Sequence, residues 1–170
     1  IRAVPDYDDL TPAQPAALDL KLSNACNLKC RICGPVASSA WLSEEVVCLP
    51  ADSAKSEFLR ENRAYFQSNK ITADPVNAET LRRWAPNIHH VEMTGGEPMM
   101  SRENRDVIEL LVEHGRPDQT MLLITTNATV IDDRILQRIP AFGSTTITLS
   151  IDDLGRRLEY ERAPSNSDEV

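Results

Sequence analysis

Three cysteines, Cys26, Cys30 and Cys33, stand close together near the start of the chain with the spacing C-x3-C-x2-C. They directly follow the strand-like run 18–22, so one loop presents all three thiols. A [4Fe–4S] cluster is normally held by a cysteine thiolate on every iron, and a loop with three ligands leaves one iron open. The spacing therefore predicts an iron–sulfur cluster with one iron available for chemistry.

Two other interpretations of the same cysteines stay open at this point. A structural zinc ion would need a fourth ligand, and His89, His90 or His114 could supply it. Alternatively, the three thiols are unrelated buried side chains. The fourth cysteine, Cys48, is distant from the loop and is interpreted as structural.

A second motif, Gly95-Gly96-Glu97-Pro98, follows another strand-like run, 88–94. With CNLKCRIC as the cysteine loop and GGEP as the second loop, the sequence resembles the radical S-adenosylmethionine (radical SAM) enzymes. Two further strand-like runs end in Thr125-Thr126-Asn127 and Ser150-Ile151-Asp152, as in that superfamily. The segment 158–162 resembles the EYxR segment of the subset with a "twitch" auxiliary domain.

The resemblance implies two cofactors. Cys26, Cys30 and Cys33 would ligate a [4Fe–4S] cluster, and the amino and carboxylate groups of S-adenosylmethionine (SAM) would chelate the open iron. One electron would then cleave the sulfonium to methionine and a 5′-deoxyadenosyl radical, which abstracts hydrogen from a substrate. The resemblance further implies an electron donor such as flavodoxin or ferredoxin, and a peptide or peptide-like substrate.

The resemblance also assigns cofactor-binding residues by position. Gly95, Gly96 and Glu97 would meet the ammonium group of SAM, and Pro98 suits the first turn of the next helix. Ile32 would lie against the adenine of SAM, and Ser150 and Asp152 would contact its ribose hydroxyls. Arg162, taken as an exposed helix residue, would bind the SAM carboxylate. Asn127, at a strand end, is a further candidate. Asp153 departs from the glycine usual after this Ser-Ile-Asp.

Composition narrows the class of protein. The chain has 170 residues, 41% hydrophobic and 26% charged, which is enough for one sizeable core. Its net charge of −8 and lack of clustered Lys and Arg argue against nucleic-acid binding. Three cysteines within eight residues favour metal binding in a reducing, cytoplasmic setting. The sequence has no run of apolar residues long enough to predict membrane insertion.

The order of predicted elements indicates an α/β fold. Residues 1–17 are expected to form an extended arm and residues 18–170 the radical SAM core, with a helical insertion around 49–70. We expect helices over 37–47, 54–68, 77–85, 104–114 and 132–139. Strands and helices alternate, which predicts a partial (βα) barrel, apparently truncated after about four units.

Apolar and polar residues alternate along the predicted strands, as in Leu18, Leu20 and Leu22 with Asp19 and Lys21 between them. We expect the apolar set to face the helices and the polar set to line a solvated chamber. The apolar residues of 147–151 follow the same pattern, on a strand with an exposed edge.

Two function classes follow. The first is a radical SAM enzyme or its cofactor-binding part. The alternative is a non-catalytic iron–sulfur or zinc-binding partner module. A cluster that responds to SAM distinguishes the first from the second.

Overall fold

The computed structural model describes residues 14–42, 44, 48–64 and 77–165. Its strands are β1 (Ala17–Leu20), β2 (Lys29–Cys30), β3 (His90–Met93), β4 (Met121–Thr126), β5 (Ser144–Leu149) and β6 (Arg162–Ala163). Its α-helices are α1 (Ala54–Glu61), α2 (Ala78–Trp84), α3 (Arg102–His114), α4 (Asp133–Arg138) and α5 (Arg156–Glu161).

Four strands form one parallel sheet in the order β1-β3-β4-β5. Helices α2, α3 and α4 lie between these strands in the chain, which is the alternation that parallel pairing requires. The predicted α/β fold with a partial (βα) barrel is confirmed. The remaining strands, β2 and β6, form a separate antiparallel pair.

The core lies between one face of the sheet and the helices. The buried residues of this core come from strands and helices alike: Leu20, Leu81, Ala85, Ile88, Val91, Met93, Met99, Ile108, Leu110, Leu111, Leu122, Ile124, Ile135 and Phe142. Each fully buried aliphatic side chain stabilises the fold by roughly 1.5–3 kcal/mol over its exposed state. The apolar residues that alternate with polar ones in β1 and β3 thus face the helices, as predicted.

The last strand departs from that prediction. Ile147 pairs in register with Ile124 of β4 and shares its face, yet it is 42% exposed, and Leu149 is 53% exposed. Strand β5 is the end strand of the sheet, and no described helix covers these side chains. The expectation that the apolar set of residues 147–151 packs against helices was therefore wrong, because that face has no cover in the part of the chain that is described.

Side-chain caps set where the helices begin. The Asn77 Oδ1 accepts a hydrogen bond from Thr80 N at 2.7 Å, and Asp132 Oδ1 accepts from Arg134 N at 2.9 Å. These caps confirm the predicted helices over 77–85 and 132–139, here α2 and α4. Helix α3 begins two residues before the predicted start at 104, because Ser101 caps it.

Parts of the chain predicted as helix or arm fall outside the described residues. These are residues 1–13 of the arm, positions 43 and 45–47 of the helix over 37–47, and 65–76, which include the end of the insertion. Within the insertion, α1 is present and its Leu59 is buried, whereas Phe58 is 52% exposed. No helix in the described segments is long and apolar enough to cross a membrane.

Candidate cofactor site

The parallel strands all end at one edge of the sheet, and the predicted motifs follow those ends. Cys26, Cys30 and Cys33 follow β1, and the GGEP loop, Asn127 and Ser150 follow β3, β4 and β5. One pocket at this edge is lined by residues from all of these segments: Cys26, Leu28, Cys30, Ile32, Cys33, Ala37, Thr94, Gly95, Gly96, Thr125, Asn127, Ser150 and Arg162. Residues up to 136 positions apart in sequence therefore meet in one site.

The cysteine loop is held in shape by side chains that bond to its own backbone. Ser38 Oγ donates to Leu28 O at 2.6 Å, and Trp41 Nε1 donates to Cys30 O at 2.9 Å. Asn24 is 2% exposed and donates from Nδ2 to Pro35 O at 2.8 Å. Because these bonds satisfy loop carbonyls that would otherwise be buried alone, the three thiols are presented by an ordered loop.

The two glycines of GGEP allow that loop to contact the segment before Cys26. Gly96 N donates to Ser23 O at 2.9 Å, and Glu97 N donates to Ala25 O at 2.7 Å. A Cβ on Gly96 would lie 2.2 Å from Ala25 O, and Gly95 has a φ of +106°. Glycine is thus needed at both positions, for close approach at one and for backbone conformation at the other.

Glu97 lies behind the pocket and is 1% exposed. Its Oε1 accepts hydrogen bonds from Thr126 Oγ1 at 2.7 Å and Met99 N at 3.0 Å, and its Oε2 accepts from Asn127 N at 2.7 Å. The carboxylate therefore joins the GGEP loop to the end of β4. Pro98 is buried beside it at the start of a 3-10 turn, Pro98–Met100.

Asn127 is part of a polar network next to the cysteines. Its Nδ2 lies 3.8 Å from Cys26 Sγ and donates to Asn27 Oδ1 at 3.1 Å, while its Oδ1 accepts from Thr129 N at 3.0 Å. Asn27 Nδ2 donates to Thr129 Oγ1 at 2.7 Å. These bonds fix which way the Asn127 amide points, so that its N–H faces the sulfur.

Arg162 is placed differently from the exposed helix residue expected from the sequence. Helix α5 ends at Glu161, and Arg162 belongs to β6, where it pairs with Cys30 and is 8% exposed. Its Nη1 donates to Cys30 Sγ at 3.4 Å, and its Nε lies 2.8 Å from Asp152 Oδ2. The expectation of an exposed residue was wrong because the β2–β6 pairing draws this segment against the cysteine loop.

The remaining predicted residues lie at different depths. Leu28 is 3% exposed beneath the pocket, whereas Ile32 is 81% exposed at its rim. Ser150 lines the pocket and donates from its backbone N to Thr126 O at 2.8 Å. Asp152 does not line the pocket, since its carboxylate faces Arg162.

The thiols of Cys26 and Cys30 lie in surroundings that favour the neutral form. Burial raises the pKa of Cys30 to about 11, although the Arg162 guanidinium opposes this shift. Burial also raises the pKa of Cys26, with a smaller opposing effect from the Leu28 backbone N–H. Cluster assembly, which needs thiolates, must therefore release protons from these side chains.

Among the described residues, no histidine lines the pocket that holds the three cysteines. His89 and His90 lie at the start of β3, away from the strand ends that carry the cysteines, and His114 contacts Glu113 at 3.8 Å. Three soft thiolates spread around one pocket suit a cluster several ångströms across.

Thr94, one of the polar strand residues expected to line a solvated chamber, lines the pocket, and its Oγ1 is buried without a hydrogen-bond partner in the described structure. Sequence reasoning missed two other polar contributors. Asn27 and Thr129 orient Asn127. The spacing of Asn127 and Thr129 is typical of an Asx turn and could have indicated that pair.

Comparison with known proteins agrees with this geometry. The model of the Radical SAM superfamily matches residues 20–169, and the chain therefore belongs to the radical SAM superfamily. Members of this superfamily are enzymes that bind a [4Fe–4S] cluster and SAM, as predicted from the cysteine and GGEP loops. No solved structure gives a significant match.

The curated relatives are GTP 3′,8-cyclases. GTP 3′,8-cyclase 3 of Mycobacterium bovis is 28% identical over 141 residues, covering 80% of this chain and 31% of the relative. GTP 3′,8-cyclase 1 of Mycobacterium tuberculosis is 26% identical over 140 residues, covering 80% of this chain and 32% of the relative. The Mycobacterium ulcerans GTP 3′,8-cyclase is 26% identical over 144 residues, covering 83% of this chain and 33% of the relative. The chain spans about a third of the length of these relatives.

Proposed function

We propose that this chain is the part of a radical SAM enzyme that holds a [4Fe–4S] cluster on Cys26, Cys30 and Cys33 and binds SAM beside it. The observation that carries the proposal is the single pocket in which the three cysteines meet Gly95 and Gly96. When bound, these groups supply one electron and a 5′-deoxyadenosyl radical that abstracts hydrogen from a substrate.

The chain's own residues would order and shield the site. Leu28 and Asn24 are buried under the cysteine loop and exclude water from it. We assign the contact with the SAM ammonium to Gly95 and Gly96, which line the pocket without side chains in the way. Glu97 is engaged with three internal donors, so we assign it to positioning that loop.

The other assignments are proposals of the same kind. We assign Ile32, at the pocket rim, to a contact with adenine and Ser150, which lines the pocket, to a ribose hydroxyl. Asn127 directs its amide at Cys26. The electron donor would be a flavodoxin or ferredoxin, and the free cysteines suit the reducing cytoplasm.

Two substrate classes are proposed. The resemblance of 158–162 to twitch-subset proteins supports a peptide or peptide-like substrate. The names of the curated relatives support GTP instead. Of the two, the GTP proposal has the broader support, because those matches cover 80% of this chain rather than one short segment.

Product analysis tests both parts of the proposal. The reconstituted protein is incubated anaerobically with dithionite and SAM, alone and with GTP, ATP or a peptide mixture, and 5′-deoxyadenosine is quantified by mass spectrometry. Formation of 5′-deoxyadenosine supports reductive cleavage, and stimulation by GTP but not ATP supports the nucleotide substrate. A cluster that forms without any SAM cleavage would favour the non-catalytic partner module.

A further inference from the structure

We propose that Arg162 and Asp152 act as an opposed pair of charges that sets the reduction potential of the cluster through Cys30. The inference rests on the proposed cluster and goes beyond it, because it gives these two residues a redox role in place of the SAM contacts expected from the sequence. Arg162 favours the reduced cluster, and Asp152 limits that effect.

Arg162 is fixed beside Cys30 by backbone pairing rather than by its side chain alone. Strand β6 pairs antiparallel with β2, with Arg162 opposite Cys30. The pairing extends through Arg31 N, which donates to Glu161 O at 2.9 Å. The Arg31 guanidinium also lies over the Tyr160 ring, 3.6 Å from its centroid. The segment that carries Arg162 is thus attached to the cysteine loop at several points.

The guanidinium is shared between a sulfur and a carboxylate. Arg162 Nη1 lies 3.4 Å from Cys30 Sγ, while Nε lies 2.8 Å from Asp152 Oδ2. The Arg162 side chain is 9% exposed and that of Asp152 is 40% exposed. The cation is therefore screened little by solvent, and its carboxylate partner more.

Because reduction makes the cluster more negative, the charge of each residue determines whether it raises or lowers the reduction potential. Reduction of a [4Fe–4S]²⁺ cluster adds one electron from an external low-potential reductant and one negative charge to the cluster and its thiolates. A nearby buried cation stabilises the more negative, reduced state and raises the potential, whereas a carboxylate lowers it. N–H donors to cluster sulfur act in the same direction as the cation.

The chain offers a matched pair of controls on the same segment. Arg157 and Asp153 form an exposed ion pair at 3.7 Å, with side chains 83% and 40% exposed. Neither residue lines the pocket. Substituting them changes the net charge as much as substituting Arg162 and Asp152, but Asp153 pairs with Arg157 rather than with the guanidinium beside Cys30.

The test is an EPR-monitored redox titration of the anaerobically reconstituted protein, carried out without SAM. Arg162→Gln is expected to lower the ratio of reduced to oxidised cluster about tenfold at a fixed potential, a shift of about 59 mV for one electron. Asp152→Asn is expected to shift the potential in the opposite direction. Arg162→Lys should recover much of the shift, and Arg157→Gln and Asp153→Asn should leave the potential unchanged.

Several results would overturn the inference. Asp152 is partly exposed, so Asp152→Asn should fold even if Arg162→Gln does not, and an unchanged or lowered potential in that variant contradicts the proposal. Equal shifts in the Arg157 and Arg162 variants would show a general charge effect and contradict it too. A cluster with the predicted potential shifts that ignores SAM would contradict only the proposed function, whereas a wild-type protein without a reducible cluster would contradict both.

Discussion

The Glu97 carboxylate accepts a hydrogen bond from Thr126 Oγ1 at 2.7 Å, with both side chains buried at the edge of the sheet. The contact joins the loop after β3 to the end of β4, 29 positions away. It makes the shape of the GGEP loop depend on the adjacent strand.

Glu97→Gln keeps the side chain's volume but places an amide NH₂ where internal donors need an acceptor. We expect a loss of about 3 kcal/mol in the free energy of unfolding, which lowers Tm by roughly 6–12 °C. Thermal unfolding of the cluster-free protein measures it. Glu113→Gln, at a position with a 65% exposed side chain, is the control and should change little. An unchanged Tm for Glu97→Gln would contradict the assigned contacts.

Gly96→Ala places a methyl group against the backbone at Ala25 O. The two loops must separate, breaking the bonds from Gly96 N and Glu97 N, at a cost of about 3 kcal/mol. Both stability and the spectral response of the cluster to SAM are expected to fall. Gly155→Ala is the contrast: its φ of +58° makes it strained, but no atom lies within 4 Å of the new Cβ and it is outside the pocket. It should therefore lower stability alone. A full SAM response in Gly96→Ala would contradict the loop contact.

Thr94→Val removes a buried hydroxyl that has no hydrogen-bond partner in the described structure. We expect the cluster-free protein to gain about 1 kcal/mol of stability, because an unpaired buried polar group is costly. Since Thr94 lines the pocket, SAM binding by calorimetry should weaken. Thr145→Val is the matched control, since Thr145 Oγ1 is also buried and unpaired but lies outside the pocket. It should gain stability without affecting SAM. Equal SAM affinity in both variants would exclude a role for Thr94.

The Cys30 thiol should lose its proton only at high pH. With its pKa at about 11, the alkylation rate of Cys30 in the cluster-free protein should keep rising up to pH 10. Peptide mass spectrometry after iodoacetamide measures this rate, and in guanidinium chloride the rate for the same protein should reach half of its maximum nearer pH 9. Because the folded pKa exceeds the unfolded one, the stability linked to Cys30 is present below pH 9 and lost as the pH rises toward 11. A half-maximal rate near pH 9 in the folded protein as well would contradict the burial of this thiol.

Local patterns predicted much of the fold. Alternation placed Leu20, Val91 and Met93 in the core, and the capping residues Asn77 and Asp132 marked two helix starts. The cysteine loop and GGEP were located because their chemistry depends on short spacings. The pocket that they share follows from parallel strands ending at one edge.

What the sequence did not predict depends on contacts distant in the chain. Arg162 looked like a helix residue, and only the antiparallel pairing of β6 with β2 brings it to Cys30. Ile147 and Leu149 alternate like core residues, but a periodic pattern does not specify whether a helix will cover that face. Glu97 is in the motif as predicted, while its engagement with Thr126 depends on the neighbouring strand.

The central claim is that SAM binds the iron left open by Cys26, Cys30 and Cys33. It is tested most directly by EPR of the anaerobically reconstituted, dithionite-reduced protein with and without SAM. We predict a [4Fe–4S]⁺ signal whose g values move when SAM is added. The signal should be lost in Cys30→Ala and retained in Cys48→Ala, since Cys48 is exposed and outside this pocket. A signal that ignores SAM, or a cluster that requires Cys48, would contradict the account.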